Sequence, residues 1–269
     1  MTFLENLLYG SHGYHCNELN SVYGIVFGVI IIISIILSYI PQYRKIIKNK
    51  TSEGISNYYI LLYNITNFTN FYGTLLINFN IVNCCLDVSL GNCFNLLTPI
   101  YQIFTPFLAT FILYIIFLIY EPNTNKIINK TFIEFILFIS IFIVLFGIVG
   151  MVFLLKYSEY QENVLVFGNS LNIISMITCV VCLLPQIHKV YKEKSIGTLS
   201  TVSLGFQVPG SLIVFIYQFA IIKAPISVGL PYLISFLLQS VLLVQCIYYE
   251  RQQKKLNNYQ LIVNYETND

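Results

Sequence analysis

The feature that most constrains this chain is a Pro-Gln dipeptide that occurs twice in the same register. Pro41-Gln42 and Pro185-Gln186 lie 144 positions apart, and each closes a long apolar run and opens a short basic loop. The same offset aligns the lysines that follow, which are Lys45, Lys48 and Lys50 in the first copy and Lys189, Lys192 and Lys194 in the second. A dipeptide repeated in register with the same lysine spacing indicates an internal duplication.

The composition is that of an integral membrane protein. Hydrophobic residues make up 57% of the 269 positions and charged residues only 10%, whereas a soluble domain carries about 25% charged residues. The apolar runs are continuous rather than alternating, which favours helices of about 20 residues over barrel strands. The net charge of +2 comes from basic residues in short loops, so we expect no nucleic-acid partner. The apolar composition makes the lipid bilayer the expected partner.

Seven membrane-spanning helices are predicted. They lie at about residues 22–43, 56–79, 95–120, 131–155, 164–191, 201–222 and 225–249. Because the fourth helix returns the chain, the two outer groups of three have the same orientation. The predicted fold is therefore an all-α membrane protein with two parallel three-helix bundles joined by a linker helix. The segments are an N-terminus (1–21), a first repeat (22–120), a linker (121–163), a second repeat (164–249) and a mobile tail (250–269).

The basic residues predict the orientation of these helices. Twelve of the fourteen Lys and Arg residues lie in the tail or in the loops after spans one, three and five. Positively charged loops stay in the cytosol, so we expect a lumenal N-terminus and a cytosolic C-terminus. Residues 1–20 contain no Lys or Arg, which is unlike a signal peptide, and we expect the N-terminus to be retained.

Residues 39–56 and 183–200 resemble the PQ-loop motif, and the arrangement of spans is similar to that of the cystinosin-like and SWEET-like transporters. The resemblance covers about residues 22–249. It implies two bundles that rock about the Pro-Gln region and expose a central cavity to either side, moving a small polar solute. The same superfamily includes the KDEL receptor, so the alternative is a protein that moves no solute and acts as a sorting receptor or as a lipid-handling or membrane-organising factor.

Gln207 marks a departure from the cystinosin-like pattern. Those proteins place an aspartate in the span after the second basic loop, where this chain has Gln207. An amide cannot carry a proton, so the resemblance extends neither to proton coupling by that route nor to cystine as the cargo. No Asp, Lys or Arg lies deep in a predicted span, which argues against a proton relay or a charged channel ring.

The two prolines are predicted to be hinges. Each proline leaves one helix carbonyl without its usual donor, and in lipid that carbonyl must be satisfied from within the protein. The amides of Gln42 and Gln186 are suited to this task. The alternative interpretation is that Pro41 and Pro185 form fixed kinks near the membrane interface.

Amide side chains inside the spans predict a solute cavity. Asn64, Asn67 and Asn70 recur every three residues and so follow one stripe of the second span. Amides in hydrocarbon must face protein or a wet cavity. We predict that these three residues, with Asn172 and Gln207, line a cavity suited to an amino acid, a related zwitterion or a polyol. The alternative is hydrogen bonding between helices.

Four cysteines fall on the predicted lumenal side, where disulfides can form. They are Cys16, Cys84, Cys85 and Cys93. We expect a bridge from Cys16 to one of the other three, and the pairing is open.

The tail contains the tetrapeptide Tyr259-Gln260-Leu261-Ile262. It matches a tyrosine-based sorting signal that a coat adaptor could bind as an extended strand, which favours an endolysosomal location. The spans and loops contain no nucleophile with a base, no carboxylate pair and no metal-ligand cluster. We therefore predict that the protein is not an enzyme and needs no cofactor.

Overall fold

The computed structural model describes residues 22–85, 88–120 and 161–266, and secondary structure within these ranges is helical. We number its long helices α1 to α6. Their bounds are Val22–Asn49 (α1), Asn57–Ile77 (α2), Leu90–Ile119 (α3), Gln161–Glu193 (α4), Thr201–Ile216 (α5) and Ile226–Glu266 (α6). A short helix, Phe79–Cys84, follows α2, and a π-helical turn, Tyr217–Ile221, follows α5.

These helices identify a multi-pass integral membrane protein. Five of the six are long and apolar enough to cross a membrane. The exception, α2, is 21 residues long but carries the predicted stripe of amides and hydroxyls. The predicted fourth span, at 131–155, and the N-terminal segment lie outside the described residues.

Two helices extend further than predicted at their C-terminal ends. Helix α1 continues through Pro41 to Asn49, and α4 continues through Pro185 to Glu193, although the sequence predicted that the first basic loop begins at residue 44. Lysine and arginine are good helix formers, so basic residues beyond the apolar run prolong the helix. Lys50 and Lys194, one position past each end, have positive φ values of 51° and 49°, as at many helix C-termini.

The polar tail predicted to follow residue 249 continues α6 as helix up to Glu266. Residues 250–266 contain neither glycine nor proline and include good helix formers. The ion pair between Glu250 and Lys254, 3.0 Å apart and one turn apart, adds modest support. The sorting tetrapeptide therefore lies in helical backbone rather than in an extended segment.

The six long helices pack as a closed ring in the order α1, α3, α2, α4, α6, α5. Each repeat contributes three consecutive members of the ring, so the repeats meet at two junctions. One junction joins α2 to α4, and the other joins α5 to α1. A shift of 144 residues maps α1 onto α4 and α2 onto α5, so it exchanges the two junctions.

The α2–α4 junction is tightly closed. A Cβ added to Gly73 would lie 2.7 Å from the carbonyl oxygen of Gly168, and one added to Gly168 would lie 2.9 Å from that of Gly73. Ser175 Oγ donates to the carbonyl of Thr66 at 2.9 Å. Glycine and small hydroxyl residues are the types that let membrane helices approach closely.

One disulfide joins Cys85 to Cys93, tying the segment before α3 to the first turn of that helix. Cys16, which was expected to bridge to one of the other three cysteines, lies outside the described residues. The Cys85–Cys93 bridge uses two of the four cysteines that were predicted to lie on the lumenal side.

Candidate functional site

The glutamine of each Pro-Gln pair binds the loop of the other repeat. Gln42 Nε2 donates to the carbonyl of Thr198 at 3.2 Å, and the backbone N–H of Ser200 donates to Gln42 Oε1 at 2.7 Å. One amide thus satisfies an acceptor and a donor two residues apart, immediately before the start of α5. Gln42 is buried, with 4% of its surface exposed.

The second copy repeats this arrangement. Gln186 Nε2 donates to the carbonyl of Gly54 at 3.0 Å, and the N–H of Ser56 donates to Gln186 Oε1 at 2.9 Å. Each of these positions is equivalent to one in the first copy at the offset of 144: Gln186 to Gln42, Gly54 to Thr198 and Ser56 to Ser200. We call the two reciprocal arrangements together the clasp, and the end of the ring where it lies the basic end.

Lysines and the loop backbones reinforce the clasp. Lys45 Nζ donates to the carbonyl of Leu199 at 2.6 Å, and Lys189 Nζ donates to that of Ile55 at 3.1 Å, again a pair related by 144 positions. Charged donors make stronger hydrogen bonds than neutral ones. These bonds hold the two repeats together at the basic end.

The two loops also touch each other directly. The carbonyl of Glu53 accepts from Thr198 N at 2.8 Å and from Thr198 Oγ1 at 2.6 Å. Gly54 and Gly197 have positive φ values of 93° and 49°, and a Cβ on Gly54 would lie 2.8 Å from Gly197 Cα. Both the positive φ values and the lack of space for a Cβ therefore require glycine at this crossing.

This geometry corrects one expectation. The sequence suggested that Gln42 and Gln186 fill the carbonyl gaps left by the prolines. Their amides instead reach the opposite repeat, because the backbone groups flanking the N-termini of α2 and α5 need partners once they are buried there. The glutamines are contacts between the repeats.

A cavity of about 210 Å³ lies inside the ring, and all six long helices contribute to its wall. The wall is mainly aliphatic and aromatic, with hydroxyl and amide groups at a few positions, and none of its residues in the described ranges is Asp, Glu, His, Lys or Arg. Toward the clasp the space narrows to a pocket of about 20 Å³ that includes Gln42 in its wall, about enough for one water. The cavity is therefore shut at the basic end.

The five residues predicted to line a cavity separate into two groups. Asn67, Asn70 and Gln207 are in its wall. Asn64 instead turns to α3, where its Nδ2 lies 3.2 Å from the carbonyl of Thr110, and Asn172 is buried in the α2–α4 junction against Gly73. Side chains three residues apart point in somewhat different directions around the helix, so one stripe of amides can both line the cavity and contact neighbouring helices.

Sequence reasoning missed several polar groups of the cavity wall. Tyr63, Tyr232 and Gln239 line it, and Gln239 Nε2 donates to the hydroxyl of Tyr63 at 3.2 Å. Gln239 is 1% exposed. An isolated glutamine in an apolar span is a signal that could have identified it, whereas tyrosine is common throughout this chain, with 21 residues.

Comparison with known proteins agrees with the duplication. The family model described as PQ loop repeat matches the chain twice, at residues 23–83 and 167–225. Each match contains one of the two Pro-Gln pairs, in agreement with the resemblance drawn from the motifs. No curated protein matches the chain. Among solved structures it is similar to a eukaryotic SWEET transporter determined at 3.7 Å, with a TM-score of 0.49 and 14% identity over 85% of this chain and 96% of that one.

Proposed function

We propose that this protein is a transporter that moves a small polar solute without net charge across an endolysosomal membrane by alternating access. The observation that carries the proposal is an uncharged, mainly apolar cavity with a few amide and hydroxyl groups, inside a ring of two repeats and closed at one end by contacts that both repeats supply. The kinship with PQ-loop transporters supports it. The clasp is the closed gate of this mechanism.

Opening this gate requires the repeats to separate at the clasp. The hydrogen bonds of Gln42 and Gln186 would break together, because a rigid three-helix bundle cannot move one loop away without the other. Pro41 and Pro185 precede these glutamines and each lacks one helical hydrogen bond, so we assign the bending to them. Hydrogen bonds to water at the cytosolic surface would replace the hydrogen bonds of the clasp.

The chemistry of the wall defines the solute class. Asn67, Asn70 and Gln207 present neutral donors and acceptors, and an unpaired charge would be costly in such a site. A zwitterionic amino acid or a polyol would fit, the zwitterion by pairing its own charges with amide dipoles. The described wall residues include no Asp, Glu or His, so we propose that the cavity itself exchanges no proton near neutral pH.

The orientation and location are further parts of the proposal. The clustering of Lys and Arg at the clasp supports a cytosolic basic end. Tyr259 and Ile262 support endolysosomal sorting through an adaptor, which would have to unwind the helical backbone to bind them as a strand. Replacing both residues by Ala should move the protein to the cell surface, and an unchanged distribution in imaging would remove the sorting role.

The deciding experiment is flux into vesicles that contain the purified protein. We expect counterflow of at least one neutral amino acid or polyol, equal at pH 5 and pH 7 and without need of a proton gradient. Asn67→Leu, which removes a cavity amide, should abolish the flux, whereas Asn64→Leu should act mainly on stability. Flux of no solute in a broad panel, from protein that is folded by its melting curve, would contradict the proposal.

A further inference from the structure

The two junctions between repeats differ at equivalent positions. In the α2–α4 junction, Thr66 Oγ1 donates to Thr178 Oγ1 at 3.0 Å. The offset of 144 places Gly210 and Ser34 at the corresponding sites of the α1–α5 junction. A Cβ on Gly210 would find nothing within 4 Å, and the hydroxyl of Ser34 donates within its own helix, at 2.8 Å. The hydroxyl pair that closes one junction is missing from the other.

Contacts on either side place this difference in the middle of the α1–α5 junction. Toward the basic end, Ser203 Oγ donates to the carbonyl of Ser38. Further along, Ile31 packs with Val214 in one apolar cluster. Since the two helices run antiparallel, this register sets Ser34 roughly opposite Gly210. We call the space between them the lateral gap.

The residues beside the lateral gap are both cavity wall and outer surface. Phe27 and Ile30 on α1, and Phe206 and Ile213 on α5, all line the cavity, yet 46–61% of each is exposed. Side chains around a sealed cavity would be buried. The cavity therefore continues through the gap to the outside of the ring, which in a membrane is lipid.

The inner side of the cavity carries a few amide and hydroxyl side chains, among them Asn70, Tyr232 and Gln239. The hydroxyl of Tyr232 lies beside the Asn70 side chain, and Asn70 Oδ1 and Gln239 Oε1 have no hydrogen bond of good geometry. Asn70 and Gln239 are 3% and 1% exposed. Buried polar atoms without partners are costly. A ligand with hydroxyl groups could donate to these amide oxygens once the side chains turn toward the cavity.

We propose that the cavity binds the uncharged, hydroxylated head group of a single-chain amphiphile, whose apolar chain passes through the lateral gap into the bilayer. A volume of about 210 Å³ is enough for a glycerol-sized head group, since about 10–15 Å³ of such volume holds one water. A phosphate head would lack a cationic partner in this wall. This inference rests on the proposed function in using the same cavity, and it names an amphiphile as the ligand instead of a freely soluble solute.

The test is photolabelling of the full-length protein in phosphatidylcholine nanodiscs. The probe is a monoacylglycerol with a diazirine in its acyl chain, and the labelled residues are mapped by mass spectrometry. We expect saturable labelling on α1 and α5 beside the gap, competed by unlabelled monoacylglycerol and not by glycerol at the same concentration. Labelling that is unsaturable, or spread evenly over the outer faces of the helices, overturns the inference.

Variants of the gap provide the second arm. S34T/G210T copies the Thr66–Thr178 pair of the other junction and should close the gap, and Gly210→Leu should obstruct it. Each is expected to lower specific labelling about tenfold, equivalent to about 1.4 kcal/mol of binding. Gly205→Leu is the matched control, because a Cβ there also meets nothing within 4 Å and Gly205 does not line the cavity. Undiminished labelling of both gap variants, folded by their melting curves, contradicts the inference.

The outcomes separate this inference from the proposed function. Labelling is measured without transport, so a protein that labels as expected but moves no solute retains the amphiphile site and loses the transport proposal. A protein that moves a soluble polar solute, but labels without saturation, retains transport and loses the amphiphile. If a gap variant fails to fold, competition between unlabelled monoacylglycerol and the photoprobe in the unmodified protein decides whether the amphiphile site exists.

Discussion

At the scale of single residues, two equivalent glutamines supply four hydrogen bonds between the repeats. Gln42 and Gln186 each make one bond as donor and one as acceptor with the opposite loop. A side chain with both functions is needed, since it must satisfy an N–H and a carbonyl at once. Leucine has a similar size but neither function, and glutamate at neutral pH cannot donate.

Replacing either glutamine by leucine should therefore destabilise the closed gate. Each change leaves a backbone N–H and a carbonyl without partners, at about 1–3 kcal/mol for each group that stays buried. We expect a lower melting temperature in Gln42→Leu and a similar decrease in Gln186→Leu, since the two sites are equivalent. Gln207→Leu, which leaves the clasp intact, is the control and should change the melting temperature less.

At the scale of elements, the α2–α4 junction is the fixed contact between the repeats. Gly73 and Gly168 set the spacing of the two helices, and side-chain hydroxyls bridge them further along. The α1–α5 junction lacks an equivalent closure between Ser34 and Gly210. The ring therefore has one tight side and one side that opens toward lipid.

Gly73→Val should disrupt the tight junction. Its Cβ would lie 2.4 Å from Asn172 Oδ1 and 2.7 Å from the carbonyl of Gly168, and such overpacking typically costs about 1–3 kcal/mol. We expect less folded protein and a lower melting temperature. Gly205→Val controls for adding a β-branched residue to a helix, since its Cβ has open space. Equal melting temperatures for the two variants would show that the junction is not closely packed.

Pro185→Ala tests whether the prolines are hinges. Alanine restores the missing helical hydrogen bond, so the fold should survive while the bend needed by one open state becomes harder. We expect unchanged abundance and melting temperature with slower flux per folded molecule, and the same for Pro41→Ala. If the prolines are only fixed kinks, the variants should instead show lower stability with unaltered flux.

At the scale of the whole molecule, the duplication could be predicted and its internal contacts could not. The offset of 144 between Pro41 and Pro185 predicted two equivalent repeats and the apolar runs predicted their helices, because both depend on local pattern. The partner of Gln42 is 156 residues away, and nothing local identifies it. Likewise Asn64 and Asn67 both reach Thr110 of α3, and only the packed ring determines that Asn67 also lines the cavity.

If the two loops of the clasp separate when the solute leaves, the protein alternates between a closed and an open state. The most direct measurement is the distance between spin labels at residues 48 and 192, which are exposed and equivalent in the two repeats, by electron double resonance in nanodiscs. We predict a short distance as the main population of the unmodified protein and a shift to a longer distance in the Gln42→Leu/Gln186→Leu double variant. The same distance distribution in both proteins, each folded, would contradict the claim that these glutamines hold the gate closed.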